Sequence, residues 1–296
     1  MTMTLARPAP LPFREGLPPH EVVAGMPQLG LHGLSEQWLL KECGHRHWLM
    51  LADLFGLPRP EFRDRDGNTL YATFTGLSLC DAHPERVAEH DTLRFDGRIR
   101  RVTRTRFQSE QCITAGGVPV ARMAMVSAFL RRAVPGDNHS VERALPLRAA
   151  VEAPGPPAAD SLAGLTHRFG RGRWEEHGGF RRSDRRRLDA VRITPCPHSE
   201  FNGAGFLYFA SFQGFVDRAE WALFPDLSAG LVTAARDLFF YGNINPGDTL
   251  SVGLCGVRDG EDGRSHWFEI RRGCDDALIA DAFTRRRPCC GAGGAR

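Results

Sequence analysis

Lysine is almost missing from this chain: of its 38 basic residues only Lys41 is a lysine, and the rest are arginine. With a formal charge of only +3, this is a compositional bias and not the concentrated basic face that nucleic-acid binding needs. The eight cysteines contain no CxxC pair, which argues against a zinc site, and they are too sparse for a small disulfide scaffold. They read as reduced cysteines that mostly serve packing. Residues 1–30 lack a basic segment followed by an apolar one, and no stretch approaches the roughly 20 apolar residues of a membrane span. A soluble cytoplasmic protein is expected, with neither nucleic acid nor membrane as a partner. Tyrosine is scarce too, with three in the chain.

The hydrophobic share of 42% suffices for a substantial core, and 296 residues suit two ordinary domains. Residues 1–20 read as a loose leader and 21–133 as a first domain. A polar, Pro/Gly-rich linker follows over 134–187, with "VPGDNHS", "APGPPAADS" and "RRSDRRR". A second domain is expected over 188–284 and a disordered tail over 285–296.

The two halves repeat one order of elements. "EVVAGMPQLGL" leads through "HGLSE" into an amphipathic run from about Leu34 to Phe55, and "LDAVRITP" leads through "CPHSEFNGAG" into another from about Phe206 to Phe224. The repeat is sharpest at "EHDTLRFDGRIRRV" and "PGDTLSVGLCGVR", where Asp91 and Asp248 hold equivalent places. Phe209, Phe212, Val216, Ala219 and Leu223 recur at spacings of three and four, giving the second helix a continuous apolar face. "TLYATFTGLSL", "VARMAMVSAFL" and "HWFEIRRG" are rich in β-branched or aromatic residues and read as strands. One long helix wrapped by an antiparallel sheet, duplicated in tandem, is an α+β double hot-dog fold.

"LSEQWLLKECGHRHW", residues 34–48, gathers residue types used in catalysis, but a helix scatters them around its axis. His45 and His47 fall on different faces and neither has a histidine four positions away, so no metal site is expected. Cys43 and His47 are one turn apart and read as a packed cysteine beside a hydrogen-bonded histidine. Trp38, Trp48 and Trp221 read mainly as core.

The runs "PQLGLHGLSEQWLLKECGHRHW", "LYATF", "FNGAGFLYFASFQGFVDRAEW" and "RDLFFYGNINPGDTL" together resemble the biosynthetic-protein family related to the leinamycin-pathway bifunctional acyltransferase/decarboxylase, over most of residues 25–285. That resemblance implies a secondary-metabolite enzyme of polyketide-like biosynthesis. It would decarboxylate a malonyl- or methylmalonyl-coenzyme A thioester and pass the acyl group to an acyl carrier protein through a tyrosine nucleophile. Tyr71 in "TLYATF" fits that position. Coenzyme A enters as the substrate thioester, with no bound cofactor, and a homodimer is compatible with the reading.

Hot-dog enzymes commonly use the N-terminus of the central helix to hold a thioester or enolate oxygen. Asn202, Gly203 and Gly205 are candidates for that oxyanion role in the second half, and Ser35 for a catalytic role in the first, although a serine there also suits an N-cap. Gly33, Leu34, His32 and His198 are candidates for binding the substrate. The arginines of "RRSDRRR" could meet coenzyme A phosphates or an acidic carrier protein. Two alternatives stand beside acyl transfer: a hot-dog thioesterase acting on acyl-coenzyme A or acyl carrier protein, and a non-catalytic acyl-binding module.

Overall fold

The computed structural model describes residues 14–15, 17–147, 157–225, 230–261 and 263–289. Ten principal strands follow the repeat. In the first half they are β1 (His20–Val23), β2 (Thr69–Cys80), β3 (Thr92–Arg101), β4 (Arg106–Ala115) and β5 (Val118–Arg132). In the second they are β6 (Asp189–Ile193), β7 (Leu231–Phe240), β8 (Leu250–Gly260), β9 (Gly263–Arg272) and β10 (Leu278–Pro288). The long helices are α1 (Glu36–Leu54), α2 (Leu162–Gly170) and α3 (Ser211–Leu223).

The strands form one antiparallel sheet in the order β1-β3-β4-β5-β2-β7-β10-β9-β8-β6. Read outward from its middle, each half has the same order, so the tandem repeat is a repeat of topology. The halves join where β2 pairs β7, from Gly76 opposite Phe239 to Leu79 opposite Arg236. Asp91 accepts the Ala88 N–H at 2.8 Å and Asp248 accepts the Asn245 N–H at 2.8 Å, the same turn closed by the same side chain ahead of β3 and β8. This is the double hot-dog fold expected from the sequence.

β2 alternates between buried and half-buried positions, as a period of two requires of a strand with unlike faces. The two-residue connection from β4 to β5 is Gly116-Gly117, with φ of 56° and 85°, values that glycine adopts freely and a tight hairpin needs. α1 and α3 lie on one face of the sheet and share a continuous core, in which Leu39, Leu40 and Cys43 join Phe212, Phe215, Val216 and Ala219. α3 begins at Ser211, after the Asn202–Gly205 turn, so that turn is not the helix N-terminus expected from the sequence.

Ionic contacts pin the helices to the sheet. Arg236 of β7 pairs with Glu36 of α1 at 2.7 Å and with Asp217 of α3 at 2.6 Å, and Arg286 of β10 pairs with Asp217 and Glu220 of α3. Arg286 lies inside the segment expected to be a disordered tail. The alternation of that segment is hidden by its run of arginines, but β10 continues through Pro288. Residues 290–296, residues 1–13 and 16 of the leader and residues 148–156 of the linker lie outside the described residues.

The remainder of the expected linker is also structured. α2 lies on the sheet face away from α1, with Phe169 stacked on Phe239 at 3.7 Å, and Trp174 and Phe180 pack with Trp267 and Phe283. The sequence conceals this layer because its few large apolar residues are spaced among arginines and glycines with no sustained period. The sheet supplies the driving force, since Phe239, Trp267 and Phe283 need cover. No described helix is long and apolar enough to cross a membrane.

Candidate active site

β2 and β7 stay paired for only a few residues. From Tyr71 to Thr75, β2 keeps β5 on one side and borders a cavity of about 830 Å³ on the other. The far wall is built from the Phe201–Phe209 segment before α3 and from Phe240–Asn243, at and just beyond the end of β7. The cavity therefore opens at the seam between the repeats, where neither half alone could enclose it.

All three tyrosines of the chain, Tyr71, Tyr208 and Tyr241, line this cavity, and so does its single lysine, Lys41. The lining contains no aspartate, glutamate, histidine or cysteine among the described residues. The three phenols differ in state. Tyr241 donates to Asp281 at 2.7 Å, and burial beside that carboxylate pushes its pKa well up, so it stays protonated and engaged. Burial, with Glu42 adding to it, also raises Tyr208. Tyr71 is half-buried, with its ring edge-on to Phe206 and the guanidinium of Arg132 5.4 Å from its centroid.

The wall opposite Tyr71 is held by hydrogen bonds. The side-chain oxygen of Asn202 accepts from the Ala204 N–H at 3.0 Å and the Phe206 N–H at 3.1 Å. Two donors on one atom fix the orientation of the amide and leave its NH₂ to donate elsewhere. Arg132 of β5 donates to the Ala204 carbonyl at 2.5 Å, and Asn138 donates to the Gly205 carbonyl at 2.7 Å, so the end of the first half and the segment just after it clamp the second half's turn. Gly205 takes a φ of 74°, which that turn requires. Asn243 accepts the Leu207 N–H at 2.9 Å and braces the following residue. Trp48 of α1 closes the near side, donating its indole N–H to the Ala72 carbonyl at 2.8 Å.

Of the candidates drawn from the sequence, Tyr71, Asn202 and Gly203 line the cavity together, while Gly205 shapes the turn behind it. Ser35, Gly33, Leu34, His32 and His198 are not in the lining. Ser35 caps α1 by accepting the Trp38 N–H at 3.3 Å, and Leu34 is buried in the core. Gly33 packs against the Pro84 backbone with a φ of 96°, and His198 is exposed on a single helical turn, Pro197–Glu200. The N-terminus of α1 is thus a structural feature, away from the cavity. Sequence reasoning missed Lys41, Tyr208 and Tyr241; the scarcity of lysine and tyrosine was the available signal.

His47 lies fully buried between two serines, 2.7 Å from Ser109 and 2.8 Å from Ser127, and burial holds its pKa down at about 3. Burial raises the Cys43 thiol, so neither residue of that pair is activated. Among the described residues no group of three His, Cys, Asp or Glu side chains is gathered to hold a metal.

Solved structures share this architecture. The 12:0-ACP thioesterase from Umbellularia californica superposes with a TM-score of 0.60 at 11% identity, covering 91% of this chain and 93% of that one. An acyl-ACP thioesterase from Bacteroides thetaiotaomicron gives 0.60 at 10% identity, covering 91% and 97%. Such identities establish the hot-dog fold and leave the reaction to be argued from the site. No family model and no curated protein sequence matches the chain.

Proposed function

We propose that this chain is an enzyme of acyl thioesters, carried by coenzyme A or an acyl carrier protein, and that the acyl group sits in the seam cavity with its carbonyl near Tyr71. One observation carries this reading: the cavity combines a largely apolar wall with all of the chain's tyrosines and its only lysine, and among the described residues its lining holds no carboxylate or imidazole. Such a lining suits an acyl chain, supplies O–H and N–H donors for a developing oxyanion, and lacks the usual bases that would deprotonate a water.

Tyr71 is the first acceptor in this mechanism. Its oxygen attacks the thioester carbonyl carbon, the carbon–sulfur bond breaks, and the departing thiolate takes up the phenolic proton, leaving an acyl-O-tyrosine ester. A neutral phenol is a weak nucleophile, and the Arg132 guanidinium is the cation that lies beside the Tyr71 ring. The Asn202 amide and the Tyr208 hydroxyl serve as donors to the oxyanion. The second acceptor decides the activity. Water makes the protein a thioesterase, the reaction named for its two structural neighbours. The pantetheine thiol of a carrier protein makes it an acyltransferase, as the family resemblance implies. With a malonyl-type acyl group, loss of CO₂ would place an enolate against the same donors.

Intact-mass measurement tests these readings. Wild type and Tyr71→Phe are incubated with propionyl-, malonyl- and methylmalonyl-coenzyme A, with and without a holo carrier protein. The expected result is an acyl adduct on the wild type that Tyr71→Phe lacks, with free acid or acylated carrier as product. A fully active Tyr71→Phe overturns the tyrosine mechanism, and binding without turnover identifies an acyl-binding module.

A further inference from the structure

The seam cavity has a second polar region that the reaction above does not use. Arg106, the first residue of β4, lines it together with Arg143 and Thr166. Arg106 is 5% exposed, and its Nη1 is buried without a hydrogen-bond partner. The comparably buried Arg236 and Arg264 each hold a carboxylate, whereas Arg106 has none among the described residues. Its charged neighbours are basic: Arg143 and Arg171 act on it, and the same cations, with Arg173, act on His167. Arg143, Arg171 and Arg173 are exposed and likewise form no ion pair among the described residues.

A buried guanidinium nitrogen with no partner carries an uncompensated desolvation cost, and crowding it with more cations raises that cost. An anion in the cavity would relieve both at once. A phosphate suits the arrangement better than a single carboxylate, because its tetrahedral set of two or three free oxygens, with one or two charges, can meet several guanidinium groups from different directions. The exposed arginines mark the solvent end, where the bulky carrier of a thioester must remain. We infer that Arg106, with Arg143 and Arg171 at the rim, receives a phosphate group on the carrier side of the thioester. The inference rests on the acyl-thioester reading and adds the part of the substrate that is recognised.

Calorimetric titration tests it without any turnover. Coenzyme A, 4′-phosphopantetheine and pantetheine are titrated into wild type, Arg106→Gln and the surface variant Arg143→Ala/Arg171→Ala. Loss of a charge-assisted contact should weaken coenzyme A binding by at least about tenfold in Arg106→Gln and leave pantetheine binding unchanged. An equal loss for 4′-phosphopantetheine locates the phosphate shared with carrier proteins, and a loss confined to coenzyme A locates its nucleotide phosphates. Either result supports the inference.

Unchanged coenzyme A affinity overturns it, as does an equal loss for pantetheine. A loss seen only when malonyl-pantetheine is compared with propionyl-pantetheine also overturns it, by assigning the arginine to the acyl carboxylate. If Arg106→Gln does not fold, the surface variant decides by the same comparison. Phosphate-dependent binding in a protein that never turns over a thioester would keep this inference and sink the enzymatic reading.

Discussion

Tyr71 and Phe206 meet edge to face across the seam, their ring centroids 5.1 Å apart and their planes at 77°. One comes from a strand of the first repeat and the other from the turn region of the second, and the Arg132 guanidinium lies 3.8 Å from the Phe206 centroid. The phenol is therefore aimed by a residue of the opposite half. Phe206→Leu keeps most of the buried volume and removes the ring, so the fold should lose only about 1–1.5 kcal/mol. Acylation should slow by at least about tenfold, since a small displacement of a nucleophile is costly. Single-turnover acylation, compared with the chemical-denaturation midpoint, checks this; equal acylation rates would deny Phe206 a positioning role.

Ser35 leads to the opposite expectation. Its hydroxyl accepts the Trp38 N–H and satisfies one of the unpaired donors at the start of α1. Ser35→Ala should cost about 1 kcal/mol of stability. Thioester turnover per folded molecule should not change, and a variant that folds but loses turnover would return Ser35 to the chemistry.

His47 sets a pH dependence whose sign follows from its environment. Burial depresses its folded pKa to about 3, against about 6.5 in an unfolded chain. The stabilisation is fully present above about pH 6.5 and is lost as the pH falls toward 3, because the unfolded state binds the proton first, with a slope approaching about 1.4 kcal/mol per pH unit. His266 is held low by burial, and His167 by burial and the surrounding arginines, in the same direction, so the wild type should show more than the His47 contribution alone. His47→Leu should remove its own share of the slope between about pH 6.5 and 5, before most carboxylates titrate. It should also cost about 1–3 kcal/mol at neutral pH for each serine hydroxyl left unpaired. Urea midpoints at several pH values measure both, and an unchanged slope would contradict the buried neutral imidazole.

Legibility in the sequence followed the length scale of the signal. The tandem hot-dog order could be read because α3 repeats its apolar face at three and four and because Asp91 and Asp248 mark the same turn. α2 could not be read, since Phe169, Trp174 and Phe180 owe their burial to aromatic residues far away in the chain. Arg286 had the composition of a tail, and its place comes from strand pairing with distant segments and from Asp217 and Glu220 on a helix packed against the sheet. Among the cavity-lining residues, Asn202 was singled out from its local Asn-Gly pattern and Tyr71 from the family resemblance. The cavity itself was not legible, because its walls come from both repeats and exist only where β2 and β7 part.

Gly44 makes that wall possible. A Cβ there would stand 2.4 Å from the Phe209 ring, and Phe209 packs at 4.5 Å against Phe74 beneath the cavity. Two effects oppose each other in Gly44→Ala. Alanine should favour α1 by up to about 1 kcal/mol. Forcing an aromatic ring out of a packed site should cost about 1–3 kcal/mol, so overpacking wins. The net result is a lower melting temperature by a few degrees. Because Phe209 also lines the cavity, the displaced ring moves an acyl-facing wall. Activity should therefore shift toward different chain lengths in a series of acyl-coenzyme A thioesters, with kcat/KM altered most for the longest. A stabilised variant with an unchanged chain-length profile would show that Phe209 has room to yield and that α1 does not set the depth of the cavity.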